Sequence, residues 1–145
     1  MLELSGADQQ AMTLSYGGDT LNTAVYLARL GVEIDYVTAL GDDPYSDGMI
    51  EQWVAEGVGG EMVVRAQGRV PGLYSIRTDA TGERQFFYWR DQAPARDLFT
   101  FPDIDTIARG LVGYDYIYLS GVTLSLYGNE HRARLFHILD AARAK

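Results

Sequence analysis

The chain has 145 residues, the size of one ordinary domain, and 47% of them are hydrophobic. This fraction predicts a buried core and excludes a disordered segment. The net charge of −8 argues against nucleic acid or an anionic membrane as a partner. No apolar run approaches the roughly 20 residues that cross a bilayer, and the N-terminus lacks the pattern of a secretory signal.

Cysteine is absent from the sequence. Its absence excludes disulfides and thiolate metal sites, and it fits a cytoplasmic protein. Half of the twelve basic residues are arginines between positions 61 and 97. This stretch either receives a small anion or only decorates the exposed faces of strands. The arginines are Arg65, Arg69, Arg77, Arg84, Arg90 and Arg96.

The first predicted elements follow one another at the spacing of a βαβ unit. Apolar residues recur at helical spacing over residues 20–30, where Asp19 or Thr20 can cap the start and Gly31 can end the helix. Residues 34–40 predict a strand. A second helix opens at Asp43-Pro44 and ends at Gly57. This order predicts a parallel sheet with helices packed on it.

A β insertion interrupts this pattern between residues 61 and 90. Three strand-like runs occur there, and a turn separates the last two, which predicts an antiparallel hairpin. The strands are 61–65, 73–78 and 84–89, and the turn is 79–82.

The α/β pattern then returns. We predict a helix over 104–111, a strand over 114–119 and an amphipathic helix over 129–143. The chain starts on a strand-like fragment, Met1–Leu4, and ends on a helix with no following strand, so we expect the sheet to continue beyond it. We therefore expect residues 1–145 to be part of a single domain.

The segment Gly17-Gly18-Asp19-Thr20-Leu21-Asn22 carries the strongest chemical signal. Paired glycines let the backbone approach a ligand closely, and a helix N-terminus presents free N–H groups. The Asn22 amide can both donate to and accept from a hydroxyl. The segment is not a phosphate loop, because the Lys-Ser/Thr pair is absent. From the residues alone, an ordinary glycine turn before a helix stays open.

The run from Gly17 to Gly41 resembles the N-terminal motif of the PfkB sugar kinases. The matching positions are Gly17, Gly18, Asn22, Ala24, Gly31 and Gly41. Thr20 departs from the usual small residue or proline, and the variant GGDTLN is typical of the 2-keto-3-deoxygluconate kinase branch. Two further segments, 69–74 with 81–90 and 118–123, resemble that branch's hairpin lid and the strand end beside its substrate.

The resemblance implies a partial ribokinase-like, Rossmann-type α/β sheet with an antiparallel β-hairpin lid. It also implies a kinase that phosphorylates 2-keto-3-deoxygluconate with ATP and Mg²⁺. The family's catalytic base and its ATP- and Mg²⁺-binding elements belong to a C-terminal half whose Gly-rich motif does not occur in this sequence, so we expect no catalytic base here and no turnover by this chain alone. Two alternatives remain: a kinase for a neutral sugar such as fructose or ribose, and a non-catalytic sugar-binding or dimerisation module.

The chemistry of the predicted lid suits a sugar acid. Arg90 can grip a carboxylate or keto oxygen with its planar donors. Tyr74 and Tyr88 can bond hydroxyls while their rings cover the apolar edge. Alternation along a strand places 86, 88 and 90 on one face, and Phe87 and Trp89 on the other, as core or as a dimer face. The predicted substrate-binding residues are Gly18, Asp19, Asn22, Tyr74, Tyr88, Arg90 and Ser120.

Other candidate residues stay outside this predicted site. Glu3 lies where many members of the family place an acid that touches sugar hydroxyls, but it is close to the chain end, and we leave it out. His131 and His137 lie six positions apart on a helix and do not share a face, so we predict no metal site. The resemblance also implies a homo-oligomer formed through the lid.

Overall fold

The computed structural model describes residues 1–8 and 11–144. Its strands are β1 (Leu2–Asp8), β2 (Ala11–Tyr16), β3 (Ile34–Asp35), β4 (Thr38–Gly41), β5 (Val58–Gly59), β6 (Val63–Ala66), β7 (Leu73–Thr78) and β8 (Arg84–Trp89). Its helices are α1 (Asp19–Arg29), α2 (Pro44–Ala55), α3 (Asp103–Leu111), α4 (Gly121–Leu126) and α5 (Asn129–Arg143), with a 3-10 helix at Pro94–Thr100. No helix in the described ranges is long and apolar enough to cross a membrane.

Short parallel strand pairs form the centre of the α/β layer. β3 pairs with β5, and β4 pairs with β6, both in parallel. Side chains alternate across β4, so that Ala39 packs with Phe99 on one face and Leu40 packs with Trp53 on the other. Helices α1 and α2 cover the Trp53 side, and the 3-10 helix, α3 and α5 cover the Phe99 side. The predicted α/β architecture is confirmed.

The helix ends are as predicted, except for one cap. The Asp43 carboxylate caps α2 by accepting the N–H groups of Tyr45 at 2.9 Å and Ser46 at 3.2 Å. Gly31 follows α1 with φ of 83°, the left-handed conformation that favours glycine. The prediction that Asp19 or Thr20 caps α1 is wrong. Gly18 occupies that position without a side-chain bond, and Asp19 lies in the first turn.

The predicted hairpin is part of a larger sheet, which we call the lid sheet, with strand order β2-β1-β7-β8. β7 and β8 pair antiparallel at the predicted bounds, and β1 lies parallel to β7. Strand β2 was not predicted, because four of its six residues are exposed and its pattern does not alternate. The N-terminal segment therefore completes the lid rather than the parallel layer.

Three strand predictions are wrong in part or in full. The strand over 34–40 is interrupted at residues 36–37, and the one predicted over 61–65 is β6, shifted to Val63–Ala66. The segment 114–119 is not a strand in the described structure, and Tyr116 is 93% exposed. Its apolar alternation suits a strand, but a strand also needs a hydrogen-bonded neighbour. A cavity of about 800 Å³ separates this segment from α1 and α5.

Candidate functional site

The paired glycines form a turn that connects the lid sheet to α1. The Gly17 N–H donates to the carbonyl of Met1 at 3.0 Å, and the Asn22 N–H donates to the carbonyl of Gly18 at 2.8 Å. Gly17 is buried, and a Cβ built there would lie 2.5 Å from the Tyr74 hydroxyl. A side chain at position 17 would therefore displace the phenol. Glycine is required here because the Tyr74 hydroxyl approaches the backbone so closely.

The start of α1 meets the start of α4. The Ser120 hydroxyl donates to the Asp19 carboxylate and accepts the Thr123 N–H at 3.1 Å. The Asn22 side chain is exposed on the first turn of α1. The structure therefore brings Ser120 to Asp19, next to Gly18, and Asn22 lies on the same first turn of α1.

An aromatic face covers one side of the lid sheet. The ring centroid of Tyr74 lies 6.5 Å from that of Phe86 and 6.0 Å from that of Tyr88. Tyr74 and Tyr88 are direct register partners on β7 and β8. The Arg90 guanidinium carbon lies 4.4 Å from the Tyr88 ring centroid. The predicted alternation is confirmed, because residues 86, 88 and 90 share this face.

Phe87 and Trp89 were predicted as core or as a dimer face. Phe87 is 44% exposed and Trp89 is 61% exposed. The core alternative is therefore wrong. The physical reason is that both lie on β8, an edge strand of the lid sheet whose six residues are all exposed.

Arg90 is held at the end of β8 by its backbone. Its carbonyl accepts the Ala93 N–H at 3.1 Å, and its Cβ would lie 3.1 Å from a Cβ at Gly72. Among the side chains that the structure describes, Arg65 and Arg69 are paired with Asp47 and Asp97, but Arg90 has no carboxylate partner. A half-buried cation stacked on a ring, without a neutralising partner, is suited to an anion.

Glu3 lies beside Tyr74, although it was left out of the predicted site. It lies opposite Tyr74 in the parallel register of β1 and β7, and its carboxylate accepts a hydrogen bond from the Tyr74 hydroxyl. The pKa of Tyr74 is raised, first by burial and then by this hydrogen bond and the carboxylate charge. The available signal was an acidic residue inside the apolar run Leu2-Glu3-Leu4.

No metal cluster is evident near this site. Among the described residues, no three His, Asp or Glu side chains lie close enough to hold a metal ion. The ring of His131 lies 6.4 Å from those of Phe99 and Tyr127, where it packs, and His137 is exposed.

Comparison with known proteins gives the family. The model of the pfkB family carbohydrate kinases matches residues 3–144. The chain belongs to this family. It is 49% identical over 150 aligned residues to the 2-dehydro-3-deoxygluconokinase of Dickeya dadantii, a match that covers 99% of this chain and 47% of that enzyme. The chain thus spans about half the length of the curated relatives it matches.

Solved structures agree with this assignment. The match to the 2-dehydro-3-deoxygluconokinase of Thermotoga maritima covers 68% of this chain and 33% of that enzyme's chain, with a TM-score of 0.61 and 27% identity. The match to a PfkB family carbohydrate kinase from Listeria grayi covers 99% of this chain and 46% of that kinase's chain, with a TM-score of 0.82 and 22% identity. The second likeness shows the fold over almost the whole chain.

Proposed function

We propose that this chain is the sugar-binding half of an ATP-dependent kinase for 2-keto-3-deoxygluconate, also called 2-dehydro-3-deoxygluconate, which acts in the cytoplasm. The relatives with this activity support the reaction, and the geometry of the lid sheet supports the substrate class. A keto-deoxy sugar acid combines a carboxylate, a ketone and an apolar methylene with several hydroxyls. The aromatic face of the lid sheet offers a complement for each of these groups.

The observation that carries the proposal is Arg90 on the ring of Tyr88 without a carboxylate partner among the described side chains. The contact with the ring holds the guanidinium at this face of the lid sheet, where its planar fork of donors can bind the acid. Tyr74 and Tyr88 cover the apolar edge of the sugar. Arg77 and Arg84 lie on the same hairpin, but both are exposed and neither stacks on a ring in the described contacts.

The turn before α1 forms the second wall of the proposed site. We propose that backbone atoms at Gly18 and the Asn22 amide hydrogen-bond sugar hydroxyls. Asp19 and Ser120 are hydrogen-bonded to each other, and the Ser120 hydroxyl donates its one proton to the Asp19 carboxylate. We propose that these two residues contact the substrate only through their remaining acceptor lone pairs.

ATP and Mg²⁺ are proposed to bind through the half of the domain that lies outside this chain. Mg²⁺ bound there would neutralise charge on the transferring phosphoryl group. The residues of this chain would bind the sugar acid, orient its primary hydroxyl and exclude water from it.

Replacing Arg90 tests the substrate class. With Arg90→Ala, we expect binding of 2-keto-3-deoxygluconate to weaken by about 2–4 kcal/mol, because a charge-assisted contact is lost. Binding of fructose should not change. NMR titration at millimolar ligand measures both, with Arg84→Ala as the matched control from the same strand. Equal binding of the acid by Arg90→Ala and the wild type would exclude the sugar-acid proposal and favour a neutral-sugar kinase.

The second candidate is a non-catalytic binding or assembly module, and the exposed Phe87 and Trp89 favour it. These rings supply the apolar face through which we propose that two copies pair. A chimera joining this chain to the C-terminal half of a relative separates the two candidates. Phosphorylation of the sugar acid by the chimera supports the kinase, and a folded chimera that binds the acid without turnover supports the module.

A further inference from the structure

The polar groups of the aromatic face differ in what they can donate. A phenol has one proton to donate and two lone pairs that accept. The proton of Tyr74 is directed to Glu3, a carboxylate that can only accept. Toward the open side, the Tyr74 oxygen therefore offers lone pairs alone. Arg90, beyond the ring of Tyr88, is the opposite case, because a guanidinium can only donate.

The position of Glu3 fixes the direction in which the Tyr74 hydroxyl donates. Glu3 and Tyr74 are register partners on adjacent parallel strands, so the backbone fixes their separation. On the other side, the Gly17 backbone confines the phenol, since a Cβ there would lie 2.5 Å from the hydroxyl and 3.4 Å from the Glu3 carboxylate. The raised pKa of Tyr74 agrees with a phenol that stays protonated against this carboxylate.

We infer that Glu3 is a positioning residue that makes Tyr74 a hydrogen-bond acceptor, and that the face consequently binds a ligand in one direction only. The hydroxyl-bearing end of the ligand donates to Tyr74, and the acidic end accepts from Arg90. A carboxylate placed at Tyr74 would meet lone pairs and the charge of Glu3, and it would be repelled. This inference rests on the proposed function for the nature of the ligand and adds its orientation.

Two ligands of equal length measure this directionality. One is 2-keto-3-deoxygluconate, and the other is 2-oxohexanoate, which has the same six-carbon 2-oxo acid skeleton without hydroxyls. NMR titrations of the 145-residue chain give the ratio of their dissociation constants, which is the advantage that the hydroxyls confer. For Glu3→Leu and Tyr74→Phe, we expect this ratio to fall by up to about tenfold, the size of one hydrogen bond from a ligand hydroxyl to the phenol oxygen.

Three further variants keep the outcome interpretable. Glu3→Gln retains an acceptor for the phenol and should restore most of the ratio. Glu51→Gln, an exposed change on α2, should leave it unchanged. Arg90→Ala should weaken the binding of both acids. If Arg90→Ala has no effect, the proposed function fails; if the ratio survives Glu3→Leu while Arg90→Ala weakens both acids, the inference about Glu3 fails.

A measurement without ligand guards against misfolding as the explanation. In chain labelled with ¹³C at the ζ carbon of tyrosine, the Tyr74 resonance is assigned from its loss in Tyr74→Phe. We expect this resonance to move in Glu3→Leu and, less, in Glu3→Gln, while the other tyrosines stay in place. A Tyr74 resonance that is indifferent to Glu3 would overturn the inference.

Discussion

The hydroxyl of Ser120 donates a hydrogen bond to the carboxylate of Asp19, 101 positions earlier in the chain. The same oxygen caps α4 by accepting the Thr123 N–H at 3.1 Å. Because Asp19 lies in the first turn of α1, one hydroxyl joins the starts of two helices. This contact links the GGDTLN turn to the segment that follows the exposed tyrosines.

Removing that hydroxyl tests whether it stabilises the fold. Ser120→Ala loses both a helix cap and the bond to Asp19, and we expect it to lower the free energy of unfolding by about 1–2 kcal/mol. Urea denaturation followed by circular dichroism measures the change. Ser125→Ala is the matched control, since its hydroxyl donates only to the Val122 carbonyl within the same helix. Equal effects of the two variants would show that the link to Asp19 contributes nothing.

Two glycine substitutions should change the free energy of unfolding in opposite directions. Gly17→Ala places a methyl group 2.5 Å from the Tyr74 hydroxyl, so we expect it to cost about 1–3 kcal/mol of stability. Gly48 lies inside α2 with nothing within 4 Å of its added Cβ, and Gly48→Ala should stabilise by up to about 1 kcal/mol. Urea midpoints decide the signs, and stabilisation by Gly17→Ala would contradict the packing of Tyr74 on the turn.

The turn between β7 and β8 should respond to acid. The Asp79 carboxylate accepts from the Thr81 hydroxyl at 2.6 Å, the Thr81 N–H at 2.8 Å and the Glu83 N–H at 3.0 Å. These bonds, the Thr81 hydroxyl first, lower the pKa of Asp79 below its ordinary value of 3.8. Because the pKa of Asp79 is lower in the folded chain than in the unfolded chain, the ionised carboxylate stabilises the fold at pH values above the unfolded pKa. That stability is lost as the pH falls through the folded pKa.

Carboxyl ¹³C NMR tests this directly. We expect Asp79 to titrate below pH 3.8 in the wild type and closer to it in Thr81→Ala. Thr78→Ala, which removes an exposed hydroxyl from the adjoining strand, should leave the Asp79 titration in place. An unchanged Asp79 pKa in Thr81→Ala would refute the assigned cause.

The apolar cavity predicts that the isolated chain binds a hydrophobic dye and has low stability. About 800 Å³ lies between α1, α5 and the segment 114–119, lined by residues such as Leu27 and Leu139. We expect enhanced ANS fluorescence, reduced in Leu139→Gln. Leu30→Gln is the control, because Leu30 is 79% exposed and does not line the cavity. Absence of ANS enhancement in the wild type would contradict an accessible cavity.

Local patterns were sufficient for α1, α2, α3, α5 and the lid hairpin, whereas α4 and the 3-10 helix were not predicted. The apolar spacing of α1, the Asp43-Pro44 start of α2 and the turn at 79–82 depend on neighbours in sequence, and the structure confirms them. The strand predicted over 114–119 is wrong, because a strand needs a pairing partner that is distant in sequence. Glu3 was left out of the predicted site because it lies close to the start of the chain, and its partner Tyr74 lies 71 positions away in sequence.

A titration of the 145-residue chain with 2-keto-3-deoxygluconate tests the central claim most directly. We expect a dissociation constant no tighter than about 1 mM, near −4 kcal/mol, because we propose that the other half of the kinase domain supplies the opposite wall of the cleft. The NMR shifts should concentrate at Gly18, Asn22, Tyr74, Tyr88 and Arg90. Micromolar affinity, or shifts that avoid these residues, would contradict the account.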